Sequence, residues 1–270
     1  MFKLILFSVA ALVLPAAQSQ TERREQPMEG LDSRFFGTWR MNQAKSNPSA
    51  TTVTYEQKGD RIEIRTGDRH YEFKLDGVEA PTDTPGNTMS WKQTGPRTFE
   101  NTLRISGKVV TTTEREISAD GQTMKTRAKS SVTGNNGIET VFHKTSGGSA
   151  SNPLIGTWKQ DPSATKFPNA LTFTLSQEPN GIRWRNTGLE FTAAFDGRGY
   201  PVSGAGASPG MTASLKRTGA RSFDETLKAG DRVMAEVHYE LSADGRTITA
   251  TARTPGAGMN HPSIDVFEKE

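Results

Sequence analysis

The sequence predicts an all-β protein, built as two tandem antiparallel up-and-down β-barrels of eight or nine strands each. Three observations carry this. The second half of the chain repeats the first, apolar and polar residues alternate in short runs, and turn-forming residues punctuate those runs about every ten positions.

The repeat is read directly. Phe36-Gly37-Thr38-Trp39-Arg40 returns as Ile155-Gly156-Thr157-Trp158-Lys159, and Leu75-Asp76-Gly77 as Phe195-Asp196-Gly197. Ser118-Ala119-Asp120-Gly121 returns as Ser242-Ala243-Asp244-Gly245, and Val141-Phe142-His143-Lys144 as Val266-Phe267-Glu268-Lys269. The matches are collinear, with a spacing that drifts by only a few residues. A unit of roughly 120 residues is too long for a solenoid repeat and has the size of a domain. One barrel is therefore expected over 35–145 and a second over 154–270. A Gly/Ser-rich linker, 146–153, joins them.

Within one copy the alternation is explicit. Val53 and Tyr55, then Ile62 and Ile64, then Tyr71 and Phe73 are separated by polar residues, with a turn at Lys58-Gly59-Asp60. Leu171, Phe173 and Leu175, the turn Pro179-Asn180-Gly181, then Ile182 and Trp184 repeat this in the second copy. A meander follows in each, turning at Asp120-Gly121 and Asp244-Gly245; Asp-Gly between alternating runs is a hairpin signal. A short helix is expected after each first strand, capped by Asn42 in one copy and by Asp161 ahead of Pro162 in the other. So many antiparallel strands leave bare edges unless the sheet closes. Closure within each copy would bring Trp39 to Lys144 and Trp158 to Lys269, a lysine stem over an indole at each barrel floor.

The first 19 residues read as a secretory signal peptide. Lys3 supplies the positive start, Leu4–Leu14 an apolar run, and Ala17 and Ser19 the small residues before a cut near Ser19. The run is shorter than the ~20 residues of a membrane-spanning helix, and no transmembrane segment is expected elsewhere. Residues 20–34 are charged and expected to be a flexible segment. The mature protein is thus expected in the periplasm or secreted.

The chain has no cysteine, which excludes disulfides and thiolate metal sites. Its formal charge is +3, with basic and acidic residues interspersed, so no nucleic-acid stripe forms. No nucleophile elbow, phosphate loop, dinucleotide fingerprint or His-Glu-x-x-His pattern occurs. The four histidines, His70, His143, His238 and His261, sit at no metal-ligand spacing. No catalytic residue, metal or cofactor is assigned, and the reading leans away from an enzyme.

Gly37-Thr38-Trp39 and Gly156-Thr157-Trp158, each opening a meander, resemble the Gly-x-Trp signature of lipocalin-like barrels. The resemblance covers the architecture of both copies but no ligand-site motif. Each copy is shorter than a typical lipocalin and lacks its disulfide, and Lys144 and Lys269 stand where a lipocalin-type arginine is expected. The resemblance implies a cavity for a small, often hydrophobic, ligand.

Polar residues in the inward phase are the remaining candidates. The phase of Val109, Thr111, Thr113, Arg115 and Ile117 places a guanidinium inside the first barrel, suited to an anionic group. A bulge turning Arg115 outward, or a rim salt bridge, is the alternative. Tyr71, Trp91 and Phe99 could line an apolar wall. Asn101 and its match Glu225 interrupt an apolar phase, and Tyr239 takes the phase position of Arg115 in the second copy. The leading expectation is a binding protein for a small hydrophobic or anionic amphiphilic molecule. The alternatives are a structural module with solid barrels, or a barrel-cavity isomerase or cyclase using Glu225.

Overall fold

The computed structural model describes residues 30–132, 135–149, 151–179, 181–256 and 261–270. Residues 1–19, expected to be a signal peptide, most of segment 20–34, Ala150 of the linker and Asn180 of a predicted turn lie outside them. After a 3-10 turn at Ser33–Phe35 comes strand β1 (Gly37–Met41), then a second 3-10 turn at Gln43–Lys45. The first copy continues with β2 (Thr52–Lys58), β3 (Arg61–Thr66), β4 (Arg69–Phe73), β5 (Asp76–Pro81) and β6 (Asn87–Gly95). It ends with β7 (Thr98–Ile105), β8 (Lys108–Ile117), β9 (Thr123–Ser130) and β10 (Asn135–Ser146). The second copy holds β11 (Gly156–Lys166), β12 (Thr172–Glu178), β13 (Gly181–Arg185), β14 (Glu190–Ala194) and β15 (Tyr200–Pro201). Then follow β16 (Met211–Gly219), β17 (Ser222–Ala229), β18 (Arg232–Leu241), β19 (Thr247–Arg253) and β20 (Ser263–Lys269).

These strands form two antiparallel, nearly closed sheets, each of ten strands rather than eight or nine. In one the order is β4-β3-β2-β11-β10-β9-β8-β7-β6-β5, and in the other β14-β13-β12-β1-β20-β19-β18-β17-β16-β15. Each ring has its seam between strands consecutive in sequence. Across the first seam Phe73 of β4 stacks on Trp91 of β6 with centroids 4.2 Å apart. The second is stitched by paired backbone bonds between Glu190 and Ser203, both 2.9 Å.

The sheets cut across the repeat. β1 pairs with β12 and β20, in the sheet of the second copy, while β11 pairs with β2 and β10, in the sheet of the first. The first barrel is thus the continuous segment β2–β11, inserted between the first and second strands of the other barrel. The chain crosses between barrels at residues 42–51 and 167–171, and the Gly/Ser stretch joins two neighbouring strands of one barrel. This corrects the expected lysine–tryptophan partners. Lys144 Nζ lies 4.6 Å from the Trp158 ring centroid, and Lys269 Nζ 5.3 Å from that of Trp39.

The cores confirm the exchange. Leu154 and Trp158 are buried with Tyr55, Phe73, Trp91 and Phe99, whereas Phe35 and Trp39 are buried with Phe173, Leu175, Phe223 and Tyr239. Each indole N–H donates four residues back, Trp39 to the Phe35 carbonyl at 2.7 Å and Trp158 to that of Leu154 at 2.9 Å. The glycine of each Gly-Thr-Trp is dictated by this floor. Gly156 has φ +132°, and a Cβ there would meet the Ser146 carbonyl oxygen at 2.8 Å. Gly37, at φ +134°, would meet the Lys269 stem at 3.1 Å.

Two local expectations change. The end of the segment expected to be flexible is docked, with Asp32 N–H bonded to the Ala220 carbonyl at 2.8 Å and Phe35 fully buried. Asn42 caps a 3-10 turn as expected, accepting from Lys45 N–H. In the second copy no helix forms, because Asp161 turns the backbone within β11 by accepting from Ser163 N–H. That excursion is a bulge between β10 and β11.

Candidate functional site

Arg115 points into the first barrel. A bulge does interrupt β8, but it falls earlier: the ladder slips between Leu103 and Arg104, leaving Val109 51% exposed and Val110 buried. The slip shifts Val109 out of the inward phase and leaves Thr111, Thr113 and Arg115 in it. Phe99 lies directly opposite Arg115 on β7, and Thr126 opposite it on β9.

Around the guanidinium is a polar layer resting on an aromatic floor. Arg115 Cζ stands 4.5 Å above the Trp91 ring centroid, and its Nη1 donates to Asn101 Oδ1. Asn101 Nδ2 donates to Met89 Sδ at 3.1 Å, and the Tyr71 hydroxyl donates to the same sulfur at 2.9 Å. Trp91 Nε1 in turn donates to the Tyr71 oxygen at 3.3 Å. Tyr55 meets Trp91 edge-on at 5.8 Å, and Phe73 lies stacked beneath it. Burial pushes the Tyr71 phenol well above its ordinary range, so it remains neutral.

The layer is not electrically complete. Arg115 forms no ion pair among the described residues; several other arginines, such as Arg61 and Arg97, also lack one, but they are exposed to solvent whereas Arg115 faces the barrel interior. Its Nε is buried without a hydrogen-bond partner. Arg115 is half-buried, and within the barrel its guanidinium meets only the Trp91 face and the Asn101 amide oxygen. On the side of Arg115 away from Trp158, the inward-phase Leu103, Thr113, Ala128 and Ile138 are half-buried, while Ile105, Val110 and Ser130 farther along are buried.

The second barrel carries different chemistry at the same places. Glu225 and Tyr239 occupy the positions of Asn101 and Arg115, and Tyr239 stacks on Phe223 at 4.7 Å. Glu225 is 2% exposed, with Oε2 unpartnered. Burial pushes its carboxyl up to about 7, opposed by a hydrogen bond with Tyr239. Burial and the Glu225 carboxylate both hold the Tyr239 phenol far above its usual range. The Trp184 indole N–H lies toward that phenol but reaches no partner at hydrogen-bond geometry. Burial also raises the Asp265 carboxyl.

Of the candidates read from sequence, Arg115, Trp91, Tyr71, Asn101 and Phe99 converge in one barrel, while Glu225 and Tyr239 form a separate cluster in the other. Trp39, Trp158, Lys144 and Lys269 build the two floors with exchanged partners. Sequence reasoning passed over Met89, Trp184 and Asp265. Met89 shares the phase of Trp91 two residues earlier, and Asp265 that of Phe267, so alternation alone could have found both.

The outer face of the first barrel also carries a trough of about 880 Å³. Its floor is a cross-strand ladder, Glu100–Glu114–Arg127–Glu139–Lys166, in which opposite charges largely offset one another. Among the described residues no group of three or more His, Asp or Glu is placed to hold a metal ion, and no helix is long and apolar enough to cross a membrane. Compared with known proteins, the chain matches no family model, no curated protein and no solved structure.

Proposed function

We propose that the protein is an exported binding protein whose first barrel holds a small anionic amphiphile, with its acidic head group on Arg115. The observation that carries this is the guanidinium set over Trp91 without a carboxylate partner and with Nε unbonded. A carboxylate or similar oxyanion accepts from guanidinium N–H groups in a fixed fork, and does so strongly away from water. The stacked aromatics fill the barrel below Trp91, so the head group sits above them. The apolar tail then lies along the half-buried Met89, Leu103 and Ile138. The lipocalin-like resemblance agrees with a ligand in this place. The leader at residues 1–19 supports export to the periplasm or medium, and the intact mass of the exported protein should correspond to a chain beginning at Gln20.

Calorimetric titration of the full chain with decanoate and with decanol tests the reading. Decanoate is expected to bind saturably and the alcohol far more weakly. Arg115→Met should weaken decanoate binding by about 30-fold or more, the loss expected on truncating a buried charge partner. Arg115→Lys should recover part of it, because the charge returns without the fork. Equal binding of acid and alcohol, or an Arg115→Met variant of unchanged affinity, contradicts the proposal and favours barrels that are solid structural modules.

A further inference from the structure

We propose that the second barrel is an independent site of opposite preference, taking a hydrophobic organic amine between the carboxyl groups of Glu225 and Asp265 and the aromatic walls of Trp184 and Tyr239. Strand register places the two interiors in correspondence. In the first barrel Phe99, Arg115, Thr126 and Thr140 follow one another across four strands. In the second the same row reads Phe223, Tyr239, Ala250 and Asp265. One row along, Asn101 faces Thr113 where Glu225 faces Val237. The duplicated interior has thus lost its cation and gained two acids at matched positions.

Neither acid is balanced from within. Glu225 and Asp265 take part in no ion pair among the described residues, and Lys269, in the phase of Asp265, is spent at the floor, donating to the Arg34 carbonyl at 2.7 Å. Glu225 lies almost wholly out of solvent, and its free oxygen is a buried acceptor with no donor, which is costly to leave unmet. An ammonium group supplies the donors and the charge. Trp184, stacked on Phe173 and Phe191, and Tyr239, stacked on Phe223, wall the site with aromatic carbon for the apolar part of such a ligand. Leu227, Val237 and Ala252, in the inward phase above Glu225, are half-buried, so an apolar tail would lie against them.

The test is calorimetric titration of the full chain with 2-phenylethylamine and its neutral counterpart 2-phenylethanol. The amine is expected to bind once per chain, and the alcohol at least about tenfold more weakly, because only the amine offers a charge to the acids. Glu225→Gln, nearly isosteric, should weaken the amine about tenfold or more, and Asp265→Asn should weaken it in the same direction. Arg115→Met should leave amine binding unchanged, so that failure of the anion site and of this site are told apart. Circular dichroism of each variant confirms that it is folded. Absence of saturable amine binding, equal binding of amine and alcohol, or affinity unchanged in both Glu225→Gln and Asp265→Asn would overturn the proposal.

Discussion

Trp39→Ala is expected to unfold the barrel made largely of the second copy while sparing β2–β11, the strands that come next after Trp39 in sequence. The indole is fully buried in the core with Phe35, Phe173 and Phe223, and truncating a buried aromatic costs about 3–5 kcal/mol. A domain of this size is stabilised by only about 5–15 kcal/mol, so the loss is a large share of the total. Amide hydrogen exchange read by mass spectrometry locates it. Residues 172–269 should lose protection, while 52–166 keep most of theirs. Trp158→Ala should do the reverse, exposing 52–166. Closure of each copy on itself would produce the opposite assignment for both variants.

The second large effect concerns pH and Glu225. In the unfolded chain this carboxyl ionises near its ordinary 4.5, and in the barrel near 7. Below about 4.5 both states hold the proton, and the buried neutral acid costs little. As pH rises from there to about 7, the unfolded chain binds fewer protons than the folded one, so stability falls; above about 7 it levels off. The change across this window is about 3 kcal/mol in favour of the acid side, from the energy of 1.36 kcal/mol per unit of difference. The raised Asp265 carboxyl acts in the same sense. Exposed acids such as Asp60 and Glu139, held low by Lys74 and Arg127, act in the opposite sense, so the comparison must be between variants. Urea unfolding at about pH 5 and about pH 8 should show Glu225→Gln gaining roughly 2–3 kcal/mol on the wild type between the two. Parallel pH profiles for the two proteins would show that Glu225 ionises as readily folded as unfolded.

Much of this fold was legible because alternation and duplication are local signals. Apolar phase placed Tyr55, Phe73, Trp91 and Phe99 in one interior, and the same phase put Arg115 beside them. The bulge was legible only as an alternative. Nothing local separates Val109 from Val110 until the ladder is drawn, and its position decides which of the two is buried. The exchange of first strands was not legible for a different reason. Gly37-Thr38-Trp39 and Gly156-Thr157-Trp158 are the same tripeptide, each able to close either ring with the same tryptophan and the same glycine. Which ring each one closes is decided by the crossings at 42–51 and 167–171, and these leave no periodic signature. The strand count rose to ten because the sequence between Leu75 and Trp91 makes an additional edge strand, β5, whose residues are mostly exposed and carry almost no apolar alternation.

The candidate sites divide similarly. Arg115, Asn101, Glu225 and Tyr239 stood out as polar residues in an apolar phase, where a charge demands an explanation. Met89 did not, because a methionine in an apolar phase reads as core; its sulfur joins Tyr71 to Asn101 only once the strands are side by side. Asp265 escaped because its strand is short and uniformly half-buried.

Both interiors depend on which strand completes which ring, and cysteine cross-linking reads this directly in a chain that has no cysteine of its own. Thr38 faces Thr174 with hydroxyls 3.2 Å apart, and Thr54 faces Thr157 at 3.1 Å. Thr38→Cys paired with Thr174→Cys, and Thr54→Cys paired with Thr157→Cys, should each close to a disulfide under mild oxidation, seen as a two-hydrogen mass loss and a linked peptide. Thr38→Cys paired with Thr54→Cys should stay open. Ready closure of that last pair within one chain, with the first two remaining reduced, would contradict the exchanged architecture.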